Sequence, residues 1–535
     1  MLKLPQIHPL LTKQEIKLFL LAFFVLLLSF LPLITNFTWG NHDWLALKQD
    51  GNLTAGFVEG RISQYLFLGL FLDYHILPIL NTMLGFAFYS LTIVLLFTRF
   101  FEFQYNSTTT PLIITLVASL SYITEITFFQ FIILSQLLWT FTIFLSLTFA
   151  KKAFYFNHIF YTILSIAFLF LSIGGYPASA NLFVVSTILY LLQNYLKNKN
   201  LTETLKKSLP FAISLIISFI TLYFVYQHLQ KTNQMVQLYN NETITIKELI
   251  LKLPNSFLLS LKSLITPQPF FDLPYKLLSS FIIFSFAFYI AKQTTSKTNF
   301  LINLIFIIAI FLGIKFSSIL IKETPYNFFA KNDPVFFMIR TDFYSIPTLI
   351  LFALYFLHTK TPKFFQNTLN LITFILIITN INNNLHYSKI QNLGFSSELK
   401  LLERITSRIK NSPNYNPNTL YIFAQATELS LRPRFYHKPH SNLQGLYTLN
   451  QPFTRYWIPN DHYNFFEEKS FASTTNNINP KDLSPQMIDF FSNKIELWPS
   501  TNSLYMDNKY IILGLSPKGT FELKSQFNQL KRLQK

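Results

Sequence analysis

Apolar runs long enough to cross a bilayer recur along the first two thirds of the chain, and that repetition constrains the fold more than any motif does. The runs are roughly 17–23 residues long. A helix rising 1.5 Å per residue needs about 20 to cross a ~30 Å hydrocarbon layer. One soluble core cannot absorb so many such runs. Charged residues make up only 13% of the chain, about half the share usual in soluble domains. The reading is an all-α polytopic membrane protein.

Eleven spans fit the pattern, at about 16–35, 76–98, 110–124, 129–149, 155–173, 178–195, 209–226, 275–292, 299–320, 341–358 and 364–380. Lys3, Lys13 and Lys17 precede the first run, Leu18–Ile34. That run is too long for a signal peptide and no small-x-small cleavage site follows, so it is read as an uncleaved span with a cytoplasmic N-terminus. The connections assigned to the cytoplasm then hold Arg99, Lys151, Lys152, Lys197, Lys199, Lys206, Lys207, Lys292, Lys297, Lys360 and Lys363. Basic short loops on one side are what charge-biased insertion produces. The opposite connection, Gly174–Pro177, carries no charge.

Three long loops, 36–75, 227–274 and 321–340, are expected outside. The apolar stretch Ile62–Leu72 is too short to cross and suits a helix in or dipping into the interface. Residues 1–380 form the expected transmembrane domain, and the run Asn380–Asn384 marks its end. Residues 381–535 are expected to fold as a small α/β extracytoplasmic domain, with helix-like Ser396–Lys410 and Pro485–Lys494 and extended Leu420–Ala424 and Tyr510–Leu515.

A formal charge of +18 invites a nucleic-acid reading. From Ile381 onward there are 18 Lys and Arg against 11 Asp and Glu, so most of the excess is scattered in short loops. That is a topology signal, not a phosphate-tracking groove. With no cysteine, disulfides and thiolate chemistry are excluded. No phosphate-binding P-loop, dinucleotide glycine loop, metalloprotease histidine helix or nucleophile elbow is found.

Chemistry concentrates in the first outer loop, Trp39-Gly40-Asn41-His42-Asp43-Trp44, followed by Asp50 and by Gly56 to Arg61. A carboxylate and a cation just above the hydrocarbon edge suit transfer from a lipid-linked phosphate. Asp43 is a candidate base for an acceptor hydroxyl, and Arg61 a candidate cation for the departing phosphate. The competing reading makes Trp39 and Trp44 an interfacial belt and Asp43 a solvated loop charge. Glu125 sits between two apolar segments at the same face, where an acid is costly; the bland alternative is a helix-end charge facing headgroups. Asp43 and Glu125 together would also suffice as oxygen ligands for a divalent metal, although the spacing demands none. Arg340 heads the tenth expected span, where its guanidinium suits a phosphate fork or, equally, pairs with Asp342 or snorkels to the headgroups. Tyr176, in the Gly-Pro turn Gly174–Ala178, is an interfacial anchor or a neighbour of the substrate.

The run Asn41-His42-Asp43-Trp44, then Gly56 to Arg61, then Leu77-Pro78, resembles the serotype-converting glucosyltransferase II family, membrane enzymes of the broad C-type glycosyltransferase class. That family commonly shows an acidic pair before an aromatic residue, an arginine, then a Gly-Arg pair ahead of an apolar helix. Here His42 replaces the first acid and Lys48 is the nearest base, leaving Asp43 to carry the acidic role alone. Ser172 to Ala178 is similar to the family's Gly-x-Tyr-Gln-Ala segment, with Pro177 where glutamine is usual, and Arg340 and helix-like Leu399–Ile409 extend the likeness.

The resemblance implies transfer of a glucosyl or related group from a polyprenyl phosphate to a surface polysaccharide or lipopolysaccharide at the bacterial cytoplasmic membrane. Asp43 and Glu125 would be the catalytic candidates, and Arg61, Arg340, Tyr176 and Trp44 the donor-binding ones. Partners would be the lipid-linked donor, the glycan acceptor and membrane lipid, with no nucleic acid. Two alternatives stand. A polysaccharide polymerase or ligase predicts a long outer loop rich in Arg and His, whereas 227–274 has four Lys, one His and no Arg. A lipid or oligosaccharide transporter predicts charges along a mid-span path, and Lys315 alone lies well inside an expected span.

Overall fold

The computed structural model describes residues 11–36, 62–72, 77–127, 132–156, 158–232, 246–266, 273–293, 296–319, 341–416, 422–425, 472–473, 484–496, 500–508 and 510–513; for a few of these, Glu125 among them, it describes the backbone alone. They fall into two compact units, the first taking in 11–35 and the described residues from 62 to 388, the second Asn36 and the described residues from Lys389 on, so the boundary lies within the last long helix.

The first unit is a helical bundle. It opens with α1 (Lys13–Ser29), short α2 (Leu31–Thr35), α3 (Ile62–Leu72) and α4 (Pro78–Leu95), which runs into a π turn at Leu96–Phe100. Then come α5 (Thr109–Ser119), a 3-10 turn at Ser121–Ile123, α6 (Thr124–Thr127), α7 (Ile133–Phe156), α8 (Ile159–Gly175) and α9 (Ala180–Asn198). The series closes with α10 (Leu201–Lys231), α11 (Ile246–Ile265), α12 (Leu273–Lys292), α13 (Lys297–Ile314), α14 (Phe316–Ile319), α15 (Ile346–Lys360) and α16 (Lys363–Lys410).

Each expected span holds a helix. Six are long and apolar enough to cross a membrane: Pro78–Phe100, Ile133–Phe156, Leu201–Leu229, Pro274–Lys292, Lys297–Ile314 and Lys363–Leu393. The others are shorter or more polar. Ser and Thr inside the helices satisfy their hydroxyls locally, as Thr82 does on the Pro78 carbonyl at 2.8 Å and Thr92 on Phe88 at 2.8 Å. That is how such residues are tolerated without water.

Bonds between helix termini sort those termini into two ends of the bundle. At one, α1 begins and α4 finishes: the Arg99 guanidinium grips the Glu15 carboxylate with two 2.8 Å bonds. Lys151 donates to the Phe100 carbonyl at 2.8 Å, Tyr195 to Asn299 at 2.9 Å and Tyr289 to the Lys360 carbonyl at 3.0 Å. All the basic connections fall at this Arg99 end. The opposite, Tyr122 end gathers the start of α7, the ends of α5, α8 and α13, and the first turns of α4, α9, α12 and α15.

Four details differ from the sequence expectation. α16 does not stop at the asparagine run. Asn380 and Asn384 are fully buried and turn inward, where the Asn380 side-chain oxygen accepts from the Ser121 N–H and hydroxyl (3.2 and 3.0 Å). Asn384 accepts from Thr124 at 2.8 Å and donates to the Ser119 carbonyl at 2.8 Å. These amides satisfy backbone groups freed where α5 breaks at Leu120, so a polar run that resembles a boundary is internal mortar. The span expected at 110–124 is consequently two pieces. Lys315 is not mid-span; it caps α13 at a break. Within the expected loop 227–274 lies α11, whose Ser256, Ser260 and Ser263 are buried while Ile250, Leu251, Leu258 and Ile265 are exposed. Hydroxyls inward and hydrocarbon outward is a pattern for lipid, not for water.

The second unit contains a four-stranded sheet in the order β2-β1-β4-β3, with β1 (Ile422–Gln425), β2 (Ala472–Ser473), β3 (Leu504–Met506) and β4 (Tyr510–Leu513). β1 is parallel to both neighbours and β3 antiparallel to β4. The β3–β4 turn is closed by the Asp507 carboxylate, which accepts from the Tyr510 N–H at 2.7 Å. A short helix, α17 (Pro485–Asp489), is capped by the Ser484 hydroxyl. Burial raises the Tyr505 phenol above its ordinary pKa, while a bond from Lys494 lowers the exposed Asp489.

Candidate functional site

Charge converges at the Tyr122 end. α13 breaks at Lys315, and the Lys315 ammonium reaches the Asp342 carboxylate at 2.5 Å and the Thr341 hydroxyl at 2.7 Å. Both charged partners are essentially without solvent exposure, at 2% and 0%. The break is stitched by Asn181 on α9, which donates to the Ile314 carbonyl at 3.0 Å and accepts from the Ser317 N–H at 2.7 Å. Lys276, in the first turn of α12, donates to the Tyr122 hydroxyl at 3.1 Å and to the Ser263 carbonyl of α11 at 2.8 Å. Its ammonium lies 5.0 Å from the centre of the Tyr122 ring. Ionised groups removed from water are expensive and survive where they are paired and used.

A second, neutral set adjoins through Thr341–Ser345. Tyr344 donates to the Gln136 side-chain oxygen at 2.7 Å, and its ring centre lies 5.8 Å from that of Tyr176. Gln136 and Trp139 share a face of α7, one turn apart. The Trp139 ring meets Phe67 of α3 edge-on at 6.1 Å and presses on the end of α8, where a Cβ on Gly175 would fall 2.2 Å from the indole. That close approach, together with the extended backbone of Tyr176 that ends α8, explains the glycine pair at this turn.

Of the residues the sequence singles out, Asp43, Trp44, Arg61 and Arg340 lie outside the described residues. Glu125 is placed on α6 by its backbone, one turn beyond Tyr122. Tyr176 is half-buried beside Tyr344. Sequence reading singles out none of Tyr122, Gln136, Trp139 or Lys276; Lys276 sits two residues past the end of a long expected loop and looks like a headgroup anchor. Asp342 is noticed only as a partner for Arg340, whereas its carboxylate takes the Lys315 ammonium. Among the described residues no group of three or more His, Cys, Asp or Glu is placed to hold a metal.

Residues 31–338, more than half of the chain, match the family model described as glucosyl transferase GtrII. The chain belongs to the GtrII glucosyl transferase family. No curated protein and no solved structure matches it. The GtrII match takes in α2 through α14, with Tyr122, Gln136, Trp139, Tyr176, Lys276 and Lys315, and stops four residues short of Asp342. Membership of GtrII makes the protein a membrane glycosyltransferase, and the apolar helices agree with a multi-pass protein.

Proposed function

We propose that the protein moves a glucosyl or other hexosyl group from a polyprenyl-phosphate donor to a cell-surface polysaccharide or lipopolysaccharide, at the outer face of the bacterial cytoplasmic membrane, in the manner of C-type glycosyltransferases. The observation that carries this reading is the buried Lys276–Tyr122 and Lys315–Asp342 cluster, at the end of the bundle away from the basic connections. If basic loops stay in the cytosol, that cluster faces a donor whose headgroup has been turned outward. The first 380 residues then form the transferase domain, and 381–535 an extracytoplasmic α/β domain.

In this scheme Asp43 takes the proton of the acceptor hydroxyl as the new glycosidic bond forms at the anomeric carbon. Glu125 is the second carboxylate of the site. The bond from the anomeric carbon to the phosphate oxygen breaks, and the phosphate leaves with its charge held by Arg61 and Arg340. Tyr176 and Trp44 flank the donor. A transporter is disfavoured because the buried charges of the Tyr122 end sit at a helix break and in a first turn rather than along a mid-span path. The test is transfer of label from polyprenyl-phosphoglucose in membranes carrying wild type or Asp43→Asn. Loss at unchanged protein level supports the scheme, unchanged transfer removes Asp43 from it, and no transfer by wild type from any polyprenyl-phosphohexose overturns the reading.

A further inference from the structure

Among the described residues, the buried side chains at the Tyr122 end whose hydrogen-bonding atoms meet no partner include three with an amide or indole group: Gln64 through Oε1, Trp139 through Nε1, and Asn81 through both its polar atoms. They are at most 3% exposed. An unmet buried donor or acceptor costs about 1–3 kcal/mol, and native proteins carry few without a reason.

Two of them belong to one packing unit. Gln64 follows Ser63 on α3, and Ser63 stands against Gly174, where an added Cβ would lie 2.7 Å from its hydroxyl. Phe67, one turn beyond Gln64, meets the Trp139 ring. The indole nitrogen lies along Gly175, 2.3 Å from where a Cβ would sit. α3, which carries buried Gln64 between Ser63 and Phe67, and Trp139 thus flank the Gly174–Gly175 end of α8, beside Tyr176, with Gln136 one turn from Trp139 and held by Tyr344. Asn81 sits in the first turn of neighbouring α4.

The chemistry of the two groups is complementary: one neutral acceptor and one neutral donor, framed by aromatic rings. A phosphate would gain nothing from an amide oxygen. A hexose carries hydroxyls that both donate and accept, on a ring whose apolar face suits an indole or phenol. We infer that Gln64 and Trp139 read hydroxyls of the donor sugar, Gln64 Oε1 accepting and Trp139 Nε1 donating, and so set which hexose is transferred. This rests on the glycosyltransferase reading.

The test compares wild type, Trp139→Phe and Gln64→Met in membranes supplied with polyprenyl-phosphoglucose or its 2-, 3-, 4- and 6-deoxy analogues, with thermal unfolding of each purified protein in detergent. A site built to bond a hydroxyl discriminates strongly against an analogue lacking it. Wild type should therefore favour glucose over at least one deoxy donor by on the order of 100-fold or more. Each variant should lose roughly 10- to 100-fold in glucosyl transfer and compress that preference to a few-fold, with unfolding temperature unchanged or raised because an orphan group has gone. Wild-type rates and preference in both variants would overturn the inference. So would a loss of stability with preference intact, or failure of both variants to fold, since either assigns the two groups to packing. Absence of transfer by wild type from these donors and from every other polyprenyl-phosphohexose would instead remove the proposed donor class on which the inference rests.

Discussion

Gly175 has no room for a methyl group. Its ideal Cβ position lies 2.2–2.6 Å from three atoms of the Trp139 indole, which is itself buried and pressed on Phe67. Gly175→Ala should therefore displace the indole, lowering unfolding temperature in detergent and transfer together, with a cost of about 1–3 kcal/mol. The Lys315–Asp342 pair makes a different prediction. Asp342→Asn removes the carboxylate from a buried ammonium and should destabilise the protein by about 3–5 kcal/mol, whereas Lys315→Met with Asp342→Leu should recover most of that loss. Thermal unfolding of both variants decides it; equal stability of the single and double variants would show that the pair contributes nothing in isolation.

At the scale of elements, the break at Leu120 depends on α16 more than on α5. Asn380→Leu deprives the Ser121 N–H and hydroxyl of their shared acceptor, and should cost about 1–3 kcal/mol of unfolding free energy, while the exposed substitution Phe364→Leu on the same helix leaves it unchanged. The helices were legible because apolar length is written directly in the chain. Where a helix breaks was not, since the partner that satisfies the freed backbone lies some 260 positions away, and an asparagine run reads locally as a boundary. The same limit applies to the site. Tyr176 was legible through its glycine turn, but Lys276 and Trp139 acquire meaning only when α12 and α7 are brought beside Tyr122 and Gly175. Asp43 and Arg61, read from the loop alone, stay proposals.

For the whole molecule, the orientation of the bundle is open to direct measurement. The chain contains no cysteine, so single-cysteine labelling needs no prior substitution. Asn200→Cys, at the Arg99 end, should react with an impermeant maleimide only after the membrane is opened. Thr232→Cys, at the other end of α10, should react in intact spheroplasts. The reverse pattern would invert the proposed topology. The Arg99 end also carries a pH signature. The Arg99 guanidinium, hydrogen-bonded to Glu15, lowers that carboxyl from 4.5 to about 2. A depressed carboxyl stabilises the fold fully above its unfolded value and loses that contribution as pH falls toward the folded one. Wild type should unfold at a higher temperature than Glu15→Gln at pH 7, and the gap should close progressively below pH 4.5.

The inside-out character of α11 has a mechanical consequence. Its serines bond back to their own helix, Ser260 to the Ser256 carbonyl and Ser263 to that of Ser260, so they give neighbours little to hold. The described cross-helix bonds fall near its C-terminus, from Lys276 to Ser263 and from Ser280 to Leu264, while Pro254 removes a backbone donor farther up. Moving Ile250, Leu251 and Leu258 from an apolar environment into water would cost about 1.5–3 kcal/mol apiece. The described cross-helix hydrogen bonds of α11 thus gather toward one tip. Amide hydrogens over 250–256 should accordingly exchange faster than those over 258–264, making this helix a lever whose fulcrum is the carbonyl that Lys276 grips.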